Sequence, residues 1–395
     1  MCPVIYLSLF NKAQVKTYLA KRYPKGLLEW ISGKPTKRFI EAKELVGKMK
    51  NLRCRPMLLA HIDDLLESET TDWSVYSIYD ALVQAWLLRE ERKLGSQLDA
   101  KQLHQACRHI AFLLQEREQS SIAEHELTAM VAETPALARL STIDVGGRSL
   151  LNNNSSGRFR FSHFSIQEFL VVQGALDGHR LASGAQRTGN MFEFARSYLH
   201  GNPTASSVSA LVASGLLPRG LTLTNANLRR ADLTHADLSG TNLIKSDLIG
   251  ARLIGAKLSG AKLRGALLRG ADLSRADLRD AELSDADLSG ANLSGAKLSD
   301  AYLSRADLSD ANLSGVNLID TKLIGANLRR ARLGGARLGG AKLSGADFRG
   351  ADLSGAQLSG ANFRDAHLGD TTLEGALVDH TTRWPPGFQA PPLVS

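Results

Sequence analysis

Apolar residues recur at every fifth position from Leu221 to His380, without a break in frame. Thirty complete units run from Ala226 to Gly375, in which the third residue is Leu except at Phe348 and Phe363 and the first is mostly Ala. An α-helix has 3.6 residues per turn, so a strict period of five would carry the Leu stripe around its axis within a few units. The two-residue period of a plain strand does not fit either. The pattern therefore predicts a chain that turns a corner every five residues.

Four such sides make a square coil of about twenty residues, with each Leu directed into the axis and neighbouring coils covering it. Stacked coils pair backbone to backbone at roughly the 4.8 Å spacing of a β-sheet. Second-position residues twenty apart then share a column, and one column contains Asn242, Lys262, Glu282, Tyr302, Lys322, Lys342 and Asn362. Its positive charge and single aromatic residue make it a candidate contact strip. An ordinary solvated surface is the alternative interpretation.

This repeat resembles the pentapeptide-repeat family, whose members form a right-handed quadrilateral β-helix, and the resemblance covers about two-fifths of the chain. It implies a β-helix at 221–380, and with the rest of the chain we expect an α+β protein in which a mainly α-helical N-terminal region with a winged-helix-like part precedes it. We expect a cap or tail at 381–395, in which Trp384 and Phe388 cover the end of the rod. A helix at 206–217 is expected to close its start, because a bare end would expose Leu residues and unpaired strand edges.

Helical periodicity and start signals dominate the first 220 residues. Asn11 and Gln14 have the spacing of a capping box, and Ser121 with Glu124 predicts a second capped helix. Pro56 suits the first turn of a helix, where its missing N–H is not needed. Short strands are predicted around the Asn- and Ser-rich turn within 141–162, before helical periodicity returns.

Charge and composition narrow the class of protein. The formal net charge is +8, and the first 220 residues hold 27 Lys and Arg against 21 Asp and Glu, whereas 221–380 hold 20 against 19. No apolar run approaches the roughly twenty residues that span a bilayer, and the opening residues lack a secretory signal. The three cysteines, Cys2, Cys54 and Cys107, lack metal-binding or redox spacing and are expected to be buried apolar groups. These features predict a cytoplasmic protein without membrane contact.

Motifs for catalysis are missing from the sequence. The nearest approach to a nucleotide-binding loop is SGKPT, where Pro35 follows Lys34 in place of the hydroxyl residue. No HExxH, GxSxG, GxGxxG or zinc-spaced Cys/His cluster is present. Asp63 and Asp64 are adjacent acids on a predicted helix and are interpreted as a solvated face. The sequence therefore predicts neither a catalytic site nor a metal site.

Three segments of the N-terminal region carry a second resemblance: FNKAQVKTYLAKRYP, then NLRCRPMLLAHIDDLLES with SIYDALVQAWLLREERK, then FRFSHFSIQEFLVVQGAL. Together they resemble the back half of a NACHT-type signalling NTPase, over residues 4–178. The resemblance implies a helical remnant at 1–70 that follows a nucleotide-binding core, and a winged-helix-like domain at 71–180. Residues 181–220 would be a helical linker and the N-terminal cap of the β-helix.

The NACHT resemblance also assigns nucleotide contacts. It implies that Pro56 packs against an adenine ring and that His163, in the motif F-x-H-x-x-x-Q-E-[FY], reaches the β-phosphate of ADP. The alternative is that Pro56 is only a first-turn residue and His163 only a capping or core histidine. Because the chain has no P-loop, ADP or ATP is expected as a cofactor only if an NTPase core lies upstream.

Three functions follow from these resemblances. The favoured one is a non-catalytic scaffold or sensor that binds an unidentified protein partner, as the C-terminal part of a NACHT-type NTPase. The second is a DNA mimic acting on DNA gyrase, which would need strongly acidic surfaces, whereas the repeat region is nearly neutral. The third is nucleic-acid binding through the winged helix, but its helix FSIQEFLVVQGAL contains no Lys or Arg.

Overall fold

The structure is a computed structural model, and it describes residues 11–25, 36–48, 56–68, 73–94, 100–133, 151–153, 157–201 and 203–392. The chain divides into two compact units, Met1–Asp177 with Leu181–Tyr198, and Gly178–Arg180 with Leu199–Ser395. The predicted ranges 1–70 and 71–180 fall together in the first unit apart from residues 178–180. The predicted linker 181–220 is divided at Leu199.

The first unit begins with a series of helices: α1 (Lys12–Arg22), α2 (Lys37–Lys48), α3 (Pro56–Ala60), α4 (Ile62–Glu67), α5 (Val75–Leu94), α6 (Ala100–Glu116) and α7 (Glu124–Glu133). The predicted capping box is present, since the N–H of Gln14 donates to Asn11 Oδ1 at 2.9 Å and the N–H of Asn11 donates to Gln14 Oε1 at 2.8 Å. Pro56 begins α3, as its missing N–H predicts.

The predicted cap at Ser121 is wrong. Helix α7 begins at Glu124, because the two preceding residues form strand β1 (Ile122–Ala123). The hydroxyl of Ser121 instead accepts from Nε of Arg158, at 2.9 Å. Glu126 takes over the local capping role, since its Oε2 accepts from the N–H of Ala123 at 2.9 Å.

A small antiparallel sheet follows the helices. Its other strands are β2 (Leu151–Asn153) and β3 (Arg158–Phe161), and the order β1-β3-β2 puts β3 in the centre. The chain continues into α8 (Phe164–Leu176), which packs against α6, and then into α9 (Gly189–Gly201). Phe194 of α9 stacks edge-on against Tyr79 and Phe169 at 4.8 and 5.3 Å, which explains why the first half of the predicted linker belongs to the first unit.

The second unit is built from the five-residue repeat. Parallel bridges join second-position residues twenty apart, beginning with Thr222 and Asn242. Each unit turns a corner through a hydrogen bond such as that from the N–H of Ala226 to the carbonyl of Leu223, at 3.1 Å. The fifth residue has a positive φ of 55° to 72° throughout, as the third residue of a type II turn requires. The inward Leu and Ala residues are almost all buried, so four sides and a twenty-residue coil are as predicted.

Both ends of this β-helix are covered. Helix α10 (Ala205–Ala213) lies at the start, where Ser209 Oγ accepts from the N–H of Asp232 at 2.9 Å, in place of the carbonyl that a preceding coil would supply. At the far end Trp384 stacks on the buried Phe363 at 5.0 Å, and Phe388 stacks on Trp384 at 5.2 Å. The last bridge joins Asn362 to Arg383, so the final coil has one extra residue and extends beyond the predicted limit at 380.

The structure bears on two features that the composition raised, the cysteines and the length of the apolar segments, within the described part of the chain. Cys107 is a free thiol with no exposed surface, and burial raises its pKa to about 12. Cys2 and Cys54 lie outside the described residues. Among the described helices, none is both long and apolar enough to cross a bilayer.

Candidate interaction surface

The β-helix has four faces, which we number by their ladders of second-position residues, spaced by twenty. Face 1 runs from Thr222 to Asn362, face 2 from Asn227 to His367, face 3 from Asp232 to Thr372 and face 4 from Asp237 to Leu377. The fourth and fifth residues of the same units form the corner that follows each face and are counted with it.

The predicted contact strip is the ladder of face 1. Successive parallel bridges join its members in the order Asn242, Lys262, Glu282, Tyr302, Lys322, Lys342 and Asn362. The column is therefore continuous along the rod. The strand spacing of about 4.8 Å separates each side chain from the next.

On face 2, five of the six arginines are paired with an aspartate of the same face. The guanidinium groups of Arg229 and Arg269 bind Asp247 and Asp287 at 3.0 and 2.9 Å, in the next coil. Arg349 forms a two-pronged contact with Asp347, and this hydrogen bonding lowers the pKa of Asp347 to about 2. The Arg and Asp residues of face 2 are equal in number, so this face has no net charge.

Faces 3 and 4 carry a small excess of acid. On face 3 the amide of Asn312 donates to Asn292 at 3.2 Å, and that of Asn292 donates to Asp272 at 3.1 Å. On face 4, Asp300 and Asp320 occupy exposed corners. The net charges are −1 on face 3 and −2 on face 4, with His neutral.

Face 1 differs from the other three faces because its net charge is positive. It carries seven Lys and Arg against three Asp and Glu. Asp285 binds Arg305 at 2.7 Å and Arg264 at 3.5 Å, and the hydrogen bond from Arg305 lowers the pKa of Asp285. The remaining cations form no ion pair with any described residue: Lys245, Lys262, Lys322, Lys342 and Arg364.

The middle of face 1 also exposes large apolar groups. Tyr302 is 42% exposed, and the ammonium group of Lys322 lies 3.8 Å from the centre of its ring. Ile324, two residues after Lys322, is 46% exposed. Sequence reasoning identified Tyr302 but missed Ile324 and Arg305. The sequence did contain a signal for Ile324, because it places Ile at the fourth position of the unit, where Ser, Arg or Gly stands in most units.

The two residues assigned by the NACHT resemblance lie in the first unit. Pro56 begins α3, and His163 is the N-cap of α8, where its Nδ1 accepts from the N–H of Ser165 at 3.1 Å. His163 Nδ1 is also 2.6 Å from Ser165 Oγ, which lies 2.9 Å from the hydroxyl of Tyr79. Its side chain is solvent exposed. The capping geometry matches one of the alternatives left open by the sequence.

Asp63 and Asp64 are not a solvated face, contrary to the sequence interpretation. Asp63 accepts from Arg22 at 2.7 Å and from the hydroxyl of Tyr23 at 2.6 Å. Burial raises the pKa of Asp63, but the hydrogen bonds from Tyr23 and Arg22 outweigh it, so the pKa is lowered. Asp64 pairs with Arg89 at 2.9 Å. Both acids connect helices that are far apart in the sequence.

A polar network between α5, α6 and α8 was also missed by sequence reasoning. Gln173 donates from Nε2 to Asp80 at 2.8 Å, and its Oε1 lies 2.9 Å from His104 Nε2. Burial raises the pKa of Asp80 and lowers that of His104. The buried Glu168 accepts from Thr188 at 2.5 Å and is held by a second bond to the α9 region. Within the described residues, no group of three or more His, Cys, Asp or Glu side chains is arranged to hold a metal ion.

Comparison with protein families matches the repeat region. A family model described as "Pentapeptide repeats" matches in eight copies, over residues 223–260, 256–295, 296–335 and 331–370. No curated protein matches the chain.

Several solved structures are similar to part of this chain. HetL from the cyanobacterium Nostoc sp. strain PCC 7120, described as a pentapeptide repeat protein involved in heterocyst differentiation regulation, is 38% identical over 40% of this chain and 85% of its own, with a TM-score of 0.23. A trypsin-treated variant of QnrB1, described as a plasmid-mediated fluoroquinolone resistance protein, is 27% identical over 41% and 82%, with a TM-score of 0.28. The pentapeptide repeat protein alr5209 from Nostoc PCC 7120 is 39% identical over 30% and 77%, with a TM-score of 0.17.

Proposed function

Because residues 223–370 consist of pentapeptide repeats, we propose that this chain is a non-catalytic protein-interaction module whose contact surface is face 1 of its right-handed β-helix. The observation that carries this proposal is the combination of a net positive charge with exposed Tyr302 and Ile324 on one face, while face 2 has no net charge. Protein interfaces are enriched in Tyr and Arg, and an exposed apolar cluster with a polar rim is typical of a docking site.

Rigidity also supports the proposal. Each ladder is held by backbone hydrogen bonds on both sides, so face 1 presents its side chains from a fixed platform. A preorganised surface loses little conformational entropy on binding. The cation–π contact between Lys322 and Tyr302 further restrains these two side chains. A partner that had to break this contact would lose about 0.5–1 kcal/mol of binding free energy.

Charge distribution disfavours DNA mimicry. A surface that imitates a DNA duplex needs acid along its length, since a duplex carries about one negative charge per 1.7 Å of axis. Face 4 is the most acidic face of this rod and has a net charge of only −2.

We also propose that the first unit is the back half of a NACHT-type signalling NTPase and that the protein acts in the cytoplasm. The sheet order β1-β3-β2, with α6 before it and α8 directly after it, supports a winged-helix arrangement. In such a protein the β-helix would be the arm that senses a partner.

Photo-crosslinking tests the interaction role. We expect a photoreactive phenylalanine analogue at Tyr302, introduced in cells, to give a discrete cross-linked product. The same analogue at Asn312, a partly exposed second-position residue of face 3, is the matched control. Equal cross-linking at both positions, or none at either, would contradict the assignment of face 1.

Thermal melting tests the nucleotide assignment. Since the chain has no P-loop and His163 already caps α8, we expect ADP to leave the melting temperature unchanged, in the wild type and in His163→Ala alike. A stabilisation by ADP that His163→Ala removes would instead make His163 a nucleotide contact.

A further inference from the structure

Building on the interaction role proposed above, we infer that face 1 binds an acidic helix of a partner protein, whose carboxylates lie along the side of the helix directed at the rod. The inference names the chemistry of the partner for the surface already proposed. It follows from three features of that surface: its unpaired charge, its apolar centre and the spacing of its side chains.

The unpaired charge selects an acidic partner. Lys262, Lys322 and Lys342 project from the second position of face 1, and none forms an ion pair with a described residue. Lys245 and Arg364 extend the same excess towards the two ends. Complementary charge across an interface speeds association and excludes partners of the same sign.

The apolar centre favours a protein. Tyr302 and Ile324 expose two-fifths or more of their surface between the cations of face 1. Binding energy in protein interfaces concentrates in a few central aromatic or large side chains surrounded by polar contacts. A partner helix with an apolar residue in the middle of its acidic stripe would cover both groups.

The spacing favours a helix over an extended strand. Second-position side chains are about 4.8 Å apart along face 1, and one turn of an α-helix rises about 5.4 Å. Side chains on one side of a strand repeat at about 6.7 Å, so they lose register with the coils after two or three residues. Six coil steps from Asn242 to Asn362 span about 29 Å, the length of a helix of about 19 residues.

Nucleic acid fits this surface less well. A duplex would present about 17 phosphate charges over 29 Å, far more than the unpaired cations of face 1. Glu282 stands in the middle of the ladder, and Asp365 lies at a corner near its end. Both would face phosphates without compensation, whereas a protein helix can place a neutral or basic residue opposite each.

The test uses the full chain and two synthetic helical peptides of 21 residues with identical composition. One carries Glu along a single stripe with a central Leu, and the other distributes the same residues around the helix. We expect the striped peptide to bind, measured by fluorescence anisotropy. Lys322→Glu with Lys342→Glu should weaken it by about tenfold or more, because two attractive pairs become repulsive. Lys297→Glu with Arg337→Glu on face 4 makes the same change in net charge and should leave binding within about twofold, since those side chains belong to another ladder.

Several results would overturn the inference. Equal binding of the two peptides would show that the arrangement of Glu along the helix does not matter. An equal loss of affinity in both double variants would show that binding depends only on the net charge of the protein. The ligand would be nucleic acid if a 20-base-pair DNA duplex bound more tightly than the striped peptide and the Lys322→Glu with Lys342→Glu variant lost this binding. Failure of the striped peptide to bind, together with specific cross-linking at Tyr302, would reject the acidic helix and retain the interaction module.

Discussion

Each position of the five-residue unit has one physical role. The third residue points into the axis, and Leu298 there has no exposed surface, whereas the second residue, such as Lys297, faces solvent. The fifth residue turns the corner with a positive φ, whether it is Gly290 or Asp300. Side chains at neighbouring positions of the same unit are therefore expected to respond very differently to the same substitution.

Leu298→Asp is expected to unfold the β-helix. The substitution places a carboxylate among buried Leu side chains without a hydrogen-bond partner, at a cost of several kcal/mol. Lys297→Asp is the matched control, because it puts the same side chain on the exposed neighbour. Circular dichroism during heating measures both. A wild-type melting curve for Leu298→Asp would show that the third position does not point inward.

Gly290→Ala should lower the free energy of unfolding by about 1–2 kcal/mol, because Ala disfavours the left-handed conformation. Gly290 has φ of 63° and nothing within 4 Å of an added Cβ, so backbone strain is the only cost. Gly334→Ala is the control: that glycine is at a fourth position without a positive φ, and the added Cβ meets only ordinary contacts. Chemical denaturation compares the two. Equal effects would rule out the turn geometry as the cause.

Among the larger elements, the ends of the β-helix depend on groups outside the repeat. Ser209 supplies an acceptor for the first coil, and Trp384 covers Phe363 at the last. Thr382 holds the longer final coil, since its hydroxyl donates to the carbonyl of Leu358 at 3.0 Å. Such caps shield edges that would otherwise pair with another chain.

Trp384→Ala should loosen the last coil by about 1–2 kcal/mol, since the stacked indole no longer covers Phe363. Hydrogen exchange is the measurement. The amides of Phe363 and Arg383, which bond across the final coil, should exchange faster. Amides in the middle of the rod, such as that of Leu298, serve as the internal control. Uniform acceleration along the rod would contradict a local cap.

The network that joins α5, α6 and α8 makes the stability of the first unit sensitive to pH. Burial lowers the pKa of His104 below its ordinary value of about 6.5, so the unfolded chain binds the proton first. The free energy of unfolding therefore keeps its full value above about pH 6.5 and decreases as the pH falls below it. The melting temperature should therefore fall between pH 7.5 and 5.5, and His104→Gln should reduce this fall. His125→Gln, at an exposed site, should leave the decline unchanged. A pH profile of His104→Gln identical to that of the wild type would contradict the role of His104.

For the whole molecule, the arrangement of charge matters more than its total. The repeats are nearly neutral in sum, yet face 1 has a positive excess while face 2 has no net charge and pairs most of its arginines. The lowered pKa values of Asp347, Asp287 and Asp277 show that acids on the other faces are held by local donors. These contacts should make the rod sensitive to acid.

Asp347→Asn tests this acid sensitivity. The pKa of Asp347 is about 2 in the folded protein against 3.8 ordinarily, so its stabilisation is present above pH 4 and is lost as the pH falls towards 2. The variant should melt below the wild type at pH 7, and the difference should shrink on acidification. Asp300→Asn removes an exposed carboxylate that has no ion pair among the described residues, so it should show no such convergence. A constant difference at all pH values would exclude the ionised carboxylate as the cause.

Prediction from sequence succeeded where a local pattern repeats. The five-residue period is enough to place every Leu inward and to put residues twenty apart in one ladder, because each unit makes the same turn. It also identified the capping box at Asn11 and the aromatic cover at Trp384. It was wrong at Ser121 and at Asp63, whose partners Arg158 and Arg22 lie far away in the chain.

The sequence by itself therefore determined the β-helix, its coil length and the membership of the face 1 column, since all three depend on a period that neighbouring residues share. Tertiary structure alone decided which cations of face 1 have acidic partners. Whether Arg305 reaches Asp285 depends on how adjacent coils align, and the same holds for Gln173 between His104 and Asp80. Pairing across distant segments is selected by three-dimensional geometry, and no short-range pattern encodes it.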